Sequence, residues 1–143
     1  MKKQGSINDF KFVTGLYLLL SFFAIPHLID DFLFDIPAEF GISVHLSQFL
    51  AGVFILIYLG ILIPLARDRR RGVFGAIGMG IFLALAGILK HIPLIIQPGP
   101  YWSGWFSEGL IFGMILSGTG LVVAGFLALK KRQIGNQKFN TGA

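Results

Sequence analysis

Three ionisable residues near the end of the first apolar run have the types and spacing for chemistry. His27, Asp30 and Asp31 stand at i, i+3 and i+4, so on a helix they share one face. An imidazole beside two carboxylates can relay a proton, ligate a divalent metal or orient a polar ligand. Pro26 frees a backbone carbonyl one turn earlier, which an imidazole or a water could answer. A second imidazole, His91, follows Lys90 near the end of the third apolar run, and Glu108 opens the fourth. The third, His45, precedes the second run in a polar context and reads as a surface residue.

The elements that must position these groups are membrane helices. Hydrophobic residues make up 55% of the 143 and charged residues 13%, a balance a water-soluble domain does not have. Four apolar runs cover about Phe12 to Asp31, Leu46 to Ala66, Gly72 to Ile96 and Gly109 to Leu129. Each is close to the ~20 residues a helix needs to cross the hydrocarbon core. Helices follow because a backbone in lipid must satisfy its own hydrogen bonds. The first run is too long for a signal-peptide core and no small-x-small cleavage site follows it, so it reads as a retained span. The predicted fold is all-α: a single four-helix transmembrane bundle running up-down-up-down.

Charge gives the orientation. The N-terminal arm, the turn between the second and third spans (Arg67, Arg69, Arg70, Arg71) and the C-terminal tail hold eleven of the twelve basic residues, against Asp9 and Asp68. The other side holds Lys90 against Asp30, Asp31, Asp35, Glu39 and Glu108. Both termini are therefore expected on the cytoplasmic side. The same clustering argues against nucleic acid as the partner of the +5 net charge; the partner is the bilayer. With no cysteine, thiolate catalysis, iron–sulfur clusters and covalent haem attachment are excluded. Short loops without a glycosylation sequon fit a prokaryotic plasma membrane.

Helix arithmetic puts the candidate groups at one level. His27 lies ~24 Å from Lys11, His91 ~30 Å from Arg71 and Glu108 ~33 Å from Lys130 along their helices, near the outer face of a ~30 Å core. Each also has a plain reading. His27 could be an interfacial histidine bonded to Asp30 or Asp31, and those two could be solvated helix-end carboxylates, Asp31 the wetter. Glu108 complements a helix N-terminus. Lys90 and His91 diverge by about 100° around a helix, so at most one points inward; Lys90 can snorkel outward, which leaves His91 for the interior.

The loops and packing faces complete the pattern. The stretch 32–45 mixes aromatic, aliphatic and acidic residues and should lie along the interface or cap the bundle, with a helical turn near Pro37. In the stretch 97–107, Tyr101, Trp102 and Trp105 belong at headgroup level. Small residues four apart (Gly109, Gly113, Ser117 in the fourth span; Ala76, Gly80, Ala84 in the third) let backbones approach, and the third and fourth spans should pack on each other. A short echo, Ile25-Pro26-His27-Leu28-Ile29 against Lys90-His91-Ile92-Pro93-Leu94-Ile95, is what duplication of a hairpin would leave.

Two functions fit. One is a small non-catalytic membrane protein, an accessory subunit of a larger complex or homo-oligomer, or a binder of a hydrophobic ligand over the polar cluster His27, Asp30, Asp31, His91 and Glu108. The other is a membrane oxidoreductase or metalloenzyme in which His27 and His91 hold a haem or a divalent metal. No H-E-x-x-H, paired Glu-x-x-His or nucleophile-elbow motif is present. In layout, four short spans with both ends on one side, the whole chain resembles the small prokaryotic bundles of the DoxX-like type. The resemblance is one of topology and carries over no site residue.

Overall fold

The computed structural model describes residues 4–34, 36–39, 41–99, 101 and 103–140, with side chains for all of these except 4–8, 36 and 135–140. The expectations placed on Lys2, Lys3, Asp35, Phe40 and Trp102, and on the side chains of Ile36 and Lys138, lie outside the described residues. The elements are α1 (Gln4–Leu33), α2 (Ile36–Glu39), α3 (Val44–Ala66), α4 (Arg70–Ala86), a π-helical turn (Gly87–His91), α5 (Ile92–Ile95) and α6 (Trp105–Asn140). Four stretches are long and apolar enough to cross a membrane: Asp9–Leu33, Val44–Ala66, Arg70–Ile95 and Trp105–Ile134. The last helix starts four residues earlier than the apolar run suggests. That places Ser107 and Glu108 in its first turn.

Neighbouring spans are antiparallel. At one end of the α1–α6 pair Lys131 donates to Asp9 at 2.8 Å; at the other, Ser107 donates to Asp30. Between these ends the core is built from Phe10, Val13, Tyr17 and Leu20 of α1, Val73, Ala76 and Ile77 of α4, and Met114, Leu121 and Ala128 of α6.

Small residues set the spacing of α4 on α6. A Cβ on Gly80 would stand 2.8 Å from the Gly118 carbonyl, and one on Gly118 would stand 2.9 Å from the Gly80 carbonyl. Ala84 lies against Gly118 and Ile77 against Gly125, while Ala76 is fully buried. With no hydrophobic driving force between helices in lipid, this backbone approach supplies the packing. The other α6 stripe turns elsewhere. Gly113 lies against the Phe23 ring of α1, the buried Ser117 hydroxyl donates to the Gly113 carbonyl at 2.6 Å, and Gly109 faces open space.

The α3–α4 turn is closed by a Schellman motif. Asp68 N–H donates to Leu65 O at 3.0 Å and Arg69 N–H to Pro64 O at 2.9 Å, with Asp68 in the left-handed region at φ 53. Gly72 packs directly on the Pro64 and Leu65 backbone, so the hairpin is tight at this end. Elsewhere α3 is the least embedded span, with 11% of its most apolar window buried against 50% in the third span. It is held to α1 by a reciprocal clasp: Tyr17 hydroxyl donates to Tyr58 O at 2.9 Å, Tyr58 hydroxyl donates to Tyr17 O at 2.7 Å, and the rings stack at 4.3 Å.

Candidate functional site

The polar end of the bundle is assembled from three segments. α1 supplies His27, Asp30 and Asp31; the π-helical turn supplies His91; the loop and first turn of α6 supply Tyr101, Ser103 and Ser107. The π turn has a local cause at Pro93, which has no N–H with which to hold the α-helical register. Ile92 N–H instead reaches back to Gly87 O. A π turn holds more residues per turn, so neighbours diverge less in angle than in an α-helix. Lys90 and His91 consequently both face the space between the spans. His91 is the buried one of the two, and Lys90 stays part-exposed.

His27 and His91 meet. Their Nε2 atoms are 3.2 Å apart and both residues are buried, at 5% and 3% exposure. The rings are edge-to-face, at 77°. The Nδ1 of His91 is hydrogen-bonded to the Tyr101 hydroxyl at 2.6 Å. Tyr101 is itself buried, its hydroxyl turned onto His91, whereas Trp105 is 83% exposed. Burial pushes the Tyr101 phenol above its ordinary pKa, and the nearby carboxylates Asp31, Asp30, Glu39 and Glu108 push it further. The phenol is therefore neutral at physiological pH.

Asp30 and Asp31 part company. Asp30 is 4% exposed and its two oxygens accept from the hydroxyls of Ser103, at 2.7 Å, and Ser107. It is a buried, satisfied carboxylate rather than a solvated helix end, because two serines one turn apart on the facing segment reach it. The Ser107 hydroxyl also accepts from Ser103 N–H at 3.2 Å. Asp31 Oδ1 stands 3.8 Å from His27 Nε2, within ion-pair reach but beyond hydrogen-bond distance. That oxygen and His27 Nδ1 are buried with no hydrogen-bond partner among the described residues. Asp31 is thus not simply wet at this oxygen, and the carbonyl freed by Pro26 is not answered by the His27 imidazole, whose bond runs to His91.

His27, Asp31 and His91 each offer one ligand atom, and the three atoms lie within 4.8 Å of one another. Glu108 stays outside this group, and His45 is exposed at the start of α3. The histidine pair does not suit a haem held between both rings. Axial nitrogens on opposite faces of one iron would stand about 4 Å apart with a porphyrin between them, whereas these face each other directly at 3.2 Å.

Two adjoining cavities open beside the cluster, between α1, α3 and the π turn. One, of about 280 Å³, is lined by Leu28, Phe32, Pro37, Ile42, Leu50 and Ala51. The other, of about 270 Å³, reaches the histidines and is lined by Ala24, Phe82, Leu83, Ala86 and Met114. Leu28, Asp31, Phe54 and Lys90 line both. Pro37 and Ile42, from the stretch after α1, form part of the first cavity's wall.

Comparison of the chain with protein-family models, with curated proteins and with solved structures gives no match.

Proposed function

We propose that this chain is a small integral membrane protein that holds a hydrophobic ligand with a polar head at the histidine end of its bundle. The observation that carries this reading is the pair of adjoining, mostly apolar cavities that share Asp31 and Lys90. Each alone is near the lower end of the ~300–1,000 Å³ of ligand pockets. Together they offer an apolar channel for a tail and, at one place, a cation, a carboxylate and two imidazoles for a head. The sparse burial of α3 supports the reading, since the span with the smallest buried share of its apolar window yields most readily to admit a ligand. In the same proposal the termini face the cytoplasm of a prokaryotic cell and the histidine end faces the outer leaflet, on the strength of the charge asymmetry.

The test is to purify the full chain in mild detergent, extract it with organic solvent and analyse the extract by mass spectrometry. One amphiphile in near-stoichiometric amount is expected. It should fall several-fold in Ala51→Phe and Ala86→Phe, which fill the two cavities. Equal extracts from the parent and both filled variants would overturn the reading.

A further inference from the structure

We propose that His27, His91 and Asp31 bind one divalent first-row transition-metal ion, through the two Nε2 atoms and an oxygen of Asp31. The inference rests on the cluster and not on the ligand reading of the cavities.

Geometry comes first. Two nitrogen ligands at ~2.0–2.1 Å from a tetrahedral ion stand about 3.3 Å apart; the two Nε2 atoms are 3.2 Å apart. The Asp31 oxygen is 3.8 Å from one of them. The three donors therefore need only a side-chain adjustment to close on a common ion.

The support at His91 has the form that metal sites use, while His27 Nδ1 has no hydrogen-bond partner among the described residues. A ligating imidazole is held by a hydrogen bond at its other nitrogen, which sets the ring and leaves the ligating nitrogen its lone pair. Tyr101 does this for His91 at 2.6 Å. A second observation points to a ligand independently. Asp31 Oδ1 is a buried oxygen facing the histidines with no hydrogen-bond partner among the described residues. Leaving such an acceptor unmatched is costly, and a cation satisfies it. Asp30 is not a competing ligand, because both its oxygens are occupied by serine hydroxyls.

Chemistry narrows the ion. Two imidazoles and one carboxylate suit zinc, iron or manganese rather than calcium or magnesium, which favour all-oxygen sites. Three protein donors leave a coordination position open, the arrangement of reactive rather than purely structural sites. The cavity beside the three donors is also lined by Lys90, whose charge would favour an anionic fourth ligand over a second cation.

The experiment uses the full chain in mild detergent, stripped with a chelator, and titrates Zn²⁺ against a competing zinc dye and Co²⁺ by visible absorption. One Zn²⁺ per chain and cobalt bands of a low-coordinate nitrogen–oxygen site are expected. His27→Ala and His91→Ala should weaken zinc by roughly 100-fold or more, Tyr101→Phe by about 10–100-fold as a supporting residue, and the exposed His45→Ala not at all. Should the histidine variants fail to fold, Asp31→Asn and Tyr101→Phe decide the question. A parent chain that takes up no stoichiometric zinc would overturn the proposal, as would affinity unchanged in His91→Ala or in both Asp31→Asn and Tyr101→Phe. The two readings separate cleanly. A parent chain that binds zinc but yields no extractable amphiphile would sink the cavity reading alone, and an amphiphile without zinc would sink the metal site alone.

Discussion

Asp30 and Asp31 are adjacent in sequence yet live in different electrostatic settings. Asp30 is enclosed by two serine hydroxyls, and leaving a buried acceptor without its donor costs about 1–3 kcal/mol. Ser107→Ala should therefore lower stability by that order, read by thermal unfolding in detergent, while Ser103→Ala at the exposed loop costs less. Tyr101 yields a pH prediction with a definite sign. Its folded pKa is raised, so the unfolded chain loses the phenolic proton first, near the ordinary value of about 10. Stability from this group is intact below that pH and is lost as pH rises above it. The alkaline decline in melting temperature between pH 9 and 11 should be shallower in Tyr101→Phe than in the parent. An equal decline would mean that the phenol is not enclosed as described. Neither Ser103 nor Ser107 announces this role in sequence. Their four-residue spacing was the available signal, and it could not say which carboxylate lay opposite.

At the scale of elements, two kinds of contact hold the spans. Backbone approach joins α4 to α6 at Gly80 and Gly118, where added side chains have nowhere to go. Gly118→Leu should cost at least the ~1–3 kcal/mol of overpacking and loosen α4 from α6. Gly78→Leu, where a Cβ meets nothing within 4 Å, should stay within about 0.5 kcal/mol of the parent. Thermal unfolding of the two variants side by side checks this. The Tyr17–Tyr58 clasp joins α1 to α3 by reciprocal hydroxyl-to-carbonyl bonds. Interhelical hydrogen bonds in membranes average about 0.6 kcal/mol and reach ~1.7. Tyr58→Phe should cost that much and widen the α1–α3 gap, seen as faster hydrogen exchange in α3. The glycine stripes were readable because small residues at a four-residue period have few other uses in lipid. Which neighbour each stripe meets was not, since Gly113 turned to Phe23 of α1 rather than to α4.

For the whole molecule, the absence of cysteine makes the expected orientation directly measurable. Single cysteines at Arg69 and at Gln97, both exposed and at opposite ends of the third span, should label from opposite faces of intact cells. Arg69→Cys should react only after permeabilisation and Gln97→Cys before it. The reverse pattern would invert the bundle and place the histidine pair inside. Composition and hydropathy by themselves determined the helical class, the four spans and the level of the polar cluster, because a backbone in lipid has few ways to satisfy itself and helix rise converts residue number into depth. Rotation about each helix axis was left open, since neighbouring helices decide it and, in the third span, so does a π turn beside Pro93. Only the tertiary structure could bring the two Nε2 atoms within 3.2 Å, turn Tyr101 inward onto His91 and give Asp30 to the serines while leaving Asp31 beside the histidines.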